Sequence, residues 1–197
     1  MLISKFNNDG IKQAINQFEK EIVKIPRQYK DFLIKYNGGR TPETTFKINK
    51  VSSDLVCFYG LGNTEEYYDY SKIITRSSFK EFIEEGYLII GYNSFGDYIL
   101  IGVNNENNGK IYFCYHDRPK KYIELAENFS TFTSKCKSKK IGYIESVEER
   151  KAFLIKNGKE KNITIGLIEM WQEEIDDYAN TNCVKMIKLV LQMHVII

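Results

Sequence analysis

Proline, tryptophan and histidine are scarce in this chain of 197 residues: three prolines, one tryptophan and two histidines. With His116 and His194 remote from each other, neither HxH nor HExxH spacing occurs, and no metal site is expected. The four cysteines (Cys57, Cys114, Cys136, Cys183) form no CxxC pair. Their wide spacing suits buried thiols of a reducing compartment better than a disulfide framework. No apolar run approaches the ~20 residues of a membrane span, and Lys188 interrupts the most apolar tail, 186–197. The first eight residues lack an apolar signal core. The expectation is a cytoplasmic protein without a membrane partner. Net charge is only +2, so bulk electrostatics gives no argument for direct nucleic-acid binding.

Aromatic residues, in contrast, are plentiful, with 14 Tyr and 12 Phe. The most informative stretch is 25–39. Pro26 suits a first helical turn, where its missing N–H costs nothing. Tyr29, Phe32, Leu33 and Tyr36 then recur at helical spacing, and Asn37-Gly38-Gly39 tolerate the left-handed backbone of a C-cap. Before it, Ile11, Ile15, Phe18 and Ile22 stripe a helix over 10–23. Thr41-Pro42 reads as a loop, 44–48 and 54–59 as strands, and 64–85 as one or two helices.

Three strands follow, Leu88 to Gly91, Tyr98 to Val103 and Lys110 to Tyr115, joined by turn-rich connectors as antiparallel hairpins. Residues 122–125 suit a last strand, and Asn128 to Lys135 begins a helix. Lys137-Ser138-Lys139-Lys140 reads as a basic linker. Ser146 with Glu149 forms a capping box for a helix through Lys156. Ile168, Trp171, Ile175 and Tyr178 stripe another, read as core that packs this region on the sheet or the first helices.

The segment 25–39 resembles the signature helix of the SMI1/KNR4 (SUKH) superfamily. Further matching pieces are Phe58-Tyr59-Gly60-Leu61, Ile90-Gly91-Tyr92, Gly96-Asp97-Tyr98-Ile99-Leu100-Ile101-Gly102, Gly109-Lys110-Ile111-Tyr112-Phe113 and His116-Asp117. The likeness spans roughly residues 11 to 135. It implies an α+β domain, with helices on one face of a mixed, largely antiparallel sheet, and it implies binding rather than catalysis. On this reading 1–136 is the SMI1/KNR4-like domain, and 137–197 is a helical C-terminal extension packed on it. Bacterial members of the superfamily are best known as immunity proteins that neutralise toxins. Eukaryotic members suggest the alternative, a regulatory or scaffold protein.

Three constellations bear on chemistry. Gly91 to Asp97 has a glycine-rich look, but it lacks the Lys-Ser/Thr of a phosphate loop and leads into a strand. It reads as a tight hairpin whose turn Asp97 holds through its side chain. Cys114 and His116 share a strand face, poorly placed for a direct hydrogen bond, and read as a buried thiol beside a turn-capping histidine. No catalytic residue and no cofactor is assigned.

Charge is uneven. Residues 1–50 hold ten basic and five acidic residues, whereas 51–106 hold three and nine. The acidic middle is either a solvated helix face or a patch that docks on a basic partner, such as a nuclease-type toxin. Glu65, Glu66, Tyr67, Tyr68, Asp69, Glu84 and Tyr87 are the candidate contacts with a cognate protein toxin.

Overall fold

The computed structural model describes residues 1–189 except 63, 65, 75–76, 119–120, 140–143 and 183–186, and describes backbone alone at 66, 77–78, 177–182 and 187–188. Cys183 and His194 lie outside the described residues, as does the side chain of Tyr178. Two compact units emerge. The first holds Met1–Lys139 and the strand Ile187–Lys188; the second lies within Lys140–Met186.

The first unit is built on one antiparallel sheet. Its strands are β1 (Leu2–Lys5), β2 (Gly39–Ile48), β3 (Val51–Phe58), β4 (Tyr87–Tyr92), β5 (Tyr98–Gly102), β6 (Ile111–Cys114), β7 (Tyr122–Ala126), β8 (Lys137–Ser138) and β9 (Ile187–Lys188). They lie in the order β7-β6-β5-β4-β3-β2-β1-β9, and β8 also pairs with β2. The hairpins from β4 to β7 come where the turn-rich connectors place them.

β2 and its neighbours correct the expectation at two points. Thr41-Pro42 is not a loop between elements but a bulge inside β2. Arg40 pairs with Cys57 and Thr44 with Leu55, so four residues of β2 advance while β3 advances two. Pro42 has no N–H to give a ladder, and a bulge is where a strand can hold it. The Thr41 hydroxyl closes the bulge by donating to the carbonyls of Leu55 and Val56. The bulge also divides one edge of β2: Arg40 pairs with Ser4 of β1, and Thr44 pairs with Ser138 of β8. The expected basic linker thus begins as a strand. Ser138 takes a hydrogen bond from the Leu2 N–H at 2.8 Å, and its hydroxyl lies 2.8 Å from that of Thr44.

Helices α1 (Ile11–Glu21) and α2 (Arg27–Tyr36) form on the expected apolar stripes, burying Ile11, Ile15 and Phe18, then Tyr29, Phe32, Leu33 and Tyr36. Pro26 stands one place earlier than expected. It is the N-cap, with extended ψ, and its carbonyl accepts the first helical bond from the Lys30 N–H at 3.0 Å. Glu19 ties the two helices together. Its carboxylate accepts from the Ile25 N–H and from Lys30 Nζ, the latter at 2.6 Å. Past α2 the chain reverses through Asn37 (φ 51), Gly38 (φ 76) and Gly39 (φ 144). A Cβ on Gly39 would collide with the Ser4 carbonyl of β1, so only glycine fits.

Strand pleating assigns the helices to faces. Phe58 packs against Phe32 of α2 and against Phe129 of α5 (Phe129–Lys135), with centroids 5.3 and 5.2 Å away. Phe46 packs against Phe132 of α5 and against Phe113. The α+β expectation stands, but the helices do not keep to one face as expected: α2 and α5 share one face, and α4 (Ser77–Glu84) packs on the other. Tyr98, Cys114 and Tyr122 are direct strand partners and so share the opposite face. There Phe82 of α4 meets Tyr98 and Tyr122 at 5.5 and 6.1 Å. The short helix α3 (Tyr70–Ile73) brings Tyr70 against Tyr59 and Phe18.

Tyr70 is 1% exposed, and its hydroxyl has no hydrogen-bond partner among the described residues. Removing an unsatisfied buried hydroxyl relieves a desolvation cost. Tyr70→Phe should therefore leave the urea-unfolding free energy unchanged or raise it by about 1 kcal/mol. A loss of that size would show that the hydroxyl is satisfied.

In the second unit, α6 (Val147–Lys156) starts at the expected capping box, with both reciprocal Ser146–Glu149 bonds formed. It pairs with α7 (Ile165–Asn182), where Arg150 reaches Glu174 at 2.7 Å and lies over Trp171. Ile168, Trp171 and Ile175 are half-buried.

Candidate functional site

The loop between β3 and α3 is closed at its base by Gly60. Its N–H donates to the Tyr68 carbonyl at 2.9 Å, and its carbonyl accepts from the Tyr70 N–H at 2.9 Å. Asn37 anchors the start of the loop. Its Nδ2 donates to the Leu61 carbonyl at 2.9 Å, and its Oδ1 accepts from the Leu61 N–H at 2.8 Å. The cap of the signature helix therefore holds the loop that carries most of the candidate contacts.

Among the described residues, those candidates are not all at the surface. Asp69 is 2% exposed. Its Oδ1 accepts from the Ser71 N–H and hydroxyl at 2.9 and 2.7 Å and from the Gly62 N–H at 3.2 Å. It caps α3 and fastens the loop, so its charge is spent inside the fold and not on a partner. Tyr68 stacks between Phe6 and Tyr92, centroids 5.3 and 6.5 Å away, with the Arg40 guanidinium 5.1 Å over its ring. Tyr87 packs against Tyr122 and Tyr112 at 4.1 and 5.1 Å, half-buried on β4. Tyr67 is 74% exposed, beside Tyr68 on a single 3-10 turn (Glu66–Tyr68). Glu84 is exposed on α4, as is Glu81. Glu66 lies on the same turn as Tyr67, and Glu65 is outside the described residues.

A second construction stands at the β4–β5 turn. Asn93 is its hub: Oδ1 accepts from the N–H groups of Phe95 and Asp97 at 3.0 and 2.7 Å, and Nδ2 donates to Ser53 Oγ and Asp97 Oδ2, both at 2.9 Å. The Ser94 N–H donates to Asp54 Oδ2 at 3.1 Å. Gly96 takes φ 84, and Asp97 Oδ1 accepts from the His116 N–H at 3.0 Å and faces its Nδ1 at 2.8 Å. Asp97 is 6% exposed.

Burial pushes the Asp97 carboxyl up, but the His116 N–H, the His116 ring and Asn93 outweigh it and hold the group below its ordinary value. A carboxyl depressed by folding stabilises the fold above its unfolded pKa, and that contribution is lost as pH falls toward the folded value. The stability gap between wild type and Asp97→Asn, about 1–3 kcal/mol, should shrink below about pH 4. Urea melts at pH 7 and pH 3 measure it. A gap that persists at pH 3 would assign the effect to shape rather than charge.

Cys57, Cys114 and Cys136 are buried, and burial pushes the Cys136 thiol up to about 12 and Cys57 higher. Cys114 is 0% exposed, which closes it to a substrate. Among the described residues no three His, Cys, Asp or Glu side chains gather as a metal would require, and no helix is long and apolar enough to cross a membrane.

Sequence reasoning passed over Phe95, which is 76% exposed at the tip of this turn. The one available signal was an aromatic residue set among turn formers. Compared with known proteins, residues 12–135 match the family model described as SMI1 / KNR4 family (SUKH-1). No curated protein and no solved structure matches the chain. The family is known generally for immunity-type, non-catalytic domains. The match runs from α1 through α5 and covers well over half of the sequence, so the chain belongs to the SMI1/KNR4 (SUKH-1) family.

Proposed function

We propose that this protein is a cytoplasmic immunity protein that neutralises a cognate bacterial toxin by direct contact. Family membership over residues 12–135 is the observation that carries the reading. The burial of Cys57, Cys114 and Cys136 supports action by binding rather than by thiol chemistry. A sheet scaffold that fixes its loops by side-chain hydrogen bonds, while leaving Tyr67 in solvent, suits recognition. Exposed Glu81 and Glu84 on α4 favour a basic partner, as the groove of a nuclease-type toxin would be.

Co-expression with the toxin encoded beside it tests the proposal. Restored growth and a co-purifying complex are expected, with an association rate that falls as salt rises. Persistent toxicity without a complex would overturn it. Recovery of stable signalling or cell-wall partners instead would favour a regulatory scaffold.

A further inference from the structure

We propose that the turn 93–97 is the docking tip of this protein, with Phe95 as the anchor that enters an apolar socket on a basic partner protein. The proposal rests on the toxin-binding reading and names the surface that serves it. Three observations lead there.

The first is exposure. In the first unit the described aromatic side chains are buried or half-buried, apart from Tyr67 at 74% and Phe95 at 76%. The fold makes little use of the Phe95 ring, so its apolar surface remains available for burial by a partner. Anchors of this kind, aromatic and set in a partner's pocket, carry a disproportionate share of binding energy.

The second is rigidity. Asn93 bonds the turn to itself and to Ser53, Asp54 holds the Ser94 N–H, and Asp97 is held by His116. Hydrogen bonds from β3 and from the end of β6 thus fix a tip that projects from the β4–β5 hairpin. A backbone ordered before binding loses little entropy when it docks, which is the advantage of a preorganised anchor.

The third is charge and continuity. Asp54 places a carboxylate at the base of the tip. A socket rimmed by lysine or arginine is its electrostatic complement. Tyr92 leads into the turn and stacks on Tyr68, whose neighbour is Tyr67. Each exposed ring thus lies within three residues of this stack along the chain, which makes Tyr67 the secondary contact to test.

The test is titration calorimetry with a catalytically inactive form of the toxin encoded beside this gene. Phe95→Ala should weaken binding about thirtyfold or more, the ~2 kcal/mol of an aromatic anchor at about 1.4 kcal/mol per tenfold. Its melting temperature should match that of the wild type, since the ring is not part of the core. Phe95→Leu should fall between the two, and Tyr67→Ala should cost about three- to tenfold, as a contact outside the anchor. Phe95→Ala binding within threefold of wild type would overturn the docking tip and leave the toxin reading intact. A wild-type dimer in sedimentation that Phe95→Ala abolishes would also overturn it, by assigning the ring to self-association. A wild-type chain that does not bind the toxin overturns the immunity reading, and the tip with it.

Discussion

Asn37→Ala is expected to destabilise the first unit by about 3–5 kcal/mol, because one side chain serves three carbonyl and amide groups in the interior. Asn37 is 1% exposed. Its Nδ2 donates to the Asn7 carbonyl at 2.6 Å and to the Leu61 carbonyl, and its Oδ1 accepts from the Leu61 N–H. Alanine would leave the Leu61 amide and carbonyl without these partners in a buried setting, at about 1–3 kcal/mol for each group left unsatisfied. It would also leave alanine in a left-handed backbone conformation, which asparagine tolerates better. Asn37→Gly separates the two contributions: it relaxes the backbone but loses the amide, and should recover only about 1 kcal/mol of the loss. Urea unfolding gives the energies. Hydrogen exchange should show the Leu61 amide losing protection in both variants. A cost below 1 kcal/mol for Asn37→Ala would mean that the loop is held from elsewhere.

Phe32→Ala is expected to cost a similar 3–5 kcal/mol, by a different route. The ring is 0% exposed and packs against Tyr29, Tyr36, Phe58 and Phe129 with centroids 5.0–5.6 Å away. Truncation removes a ring at which α2, β3 and α5 meet, and a close-packed aromatic shell cannot collapse onto the gap without moving a helix. Against a total stability of roughly 5–15 kcal/mol, either change brings the domain near its unfolding threshold. Phe32→Leu should lose appreciably less. Phe129 shares two of these neighbours, so Phe32→Ala and Phe129→Ala should not add in a double mutant. Simple additivity would show that the two rings belong to separate clusters.

These two residues also show what a single sequence makes legible. Phe32 was readable as core from helical spacing, and Asn37 as a cap from its place before two glycines. The helix begun at Asn128, the Ser146–Glu149 box and the β4–β7 hairpins were readable for the same reason: they are local devices whose partners lie within a few residues. What escaped is non-local. β1 is four residues long, and β8 and β9 are two each, too short to show a period. Pro42 looked like a loop because a bulge is defined by the neighbouring strand, not by its own residues. Asp69 looked like a surface acid, since nothing in the chain announces that Gly62 and Ser71 fold around its carboxylate. Phe95 was concealed by its turn: the residues that make a hairpin obvious say nothing about how far its tip stands in water.

The edge of β2 has one more consequence. Ser138 takes the Leu2 N–H, and Lys188 pairs with Leu2 across β1 and β9, so the chain leaves the first unit and re-enters it beside the same residue. In topological terms the second unit is a cassette inserted between two strand ends, rather than a tail appended to a finished domain. Replacing 140–186 with a short flexible connector should therefore preserve the sheet, because β1 clasps both ends of the cassette.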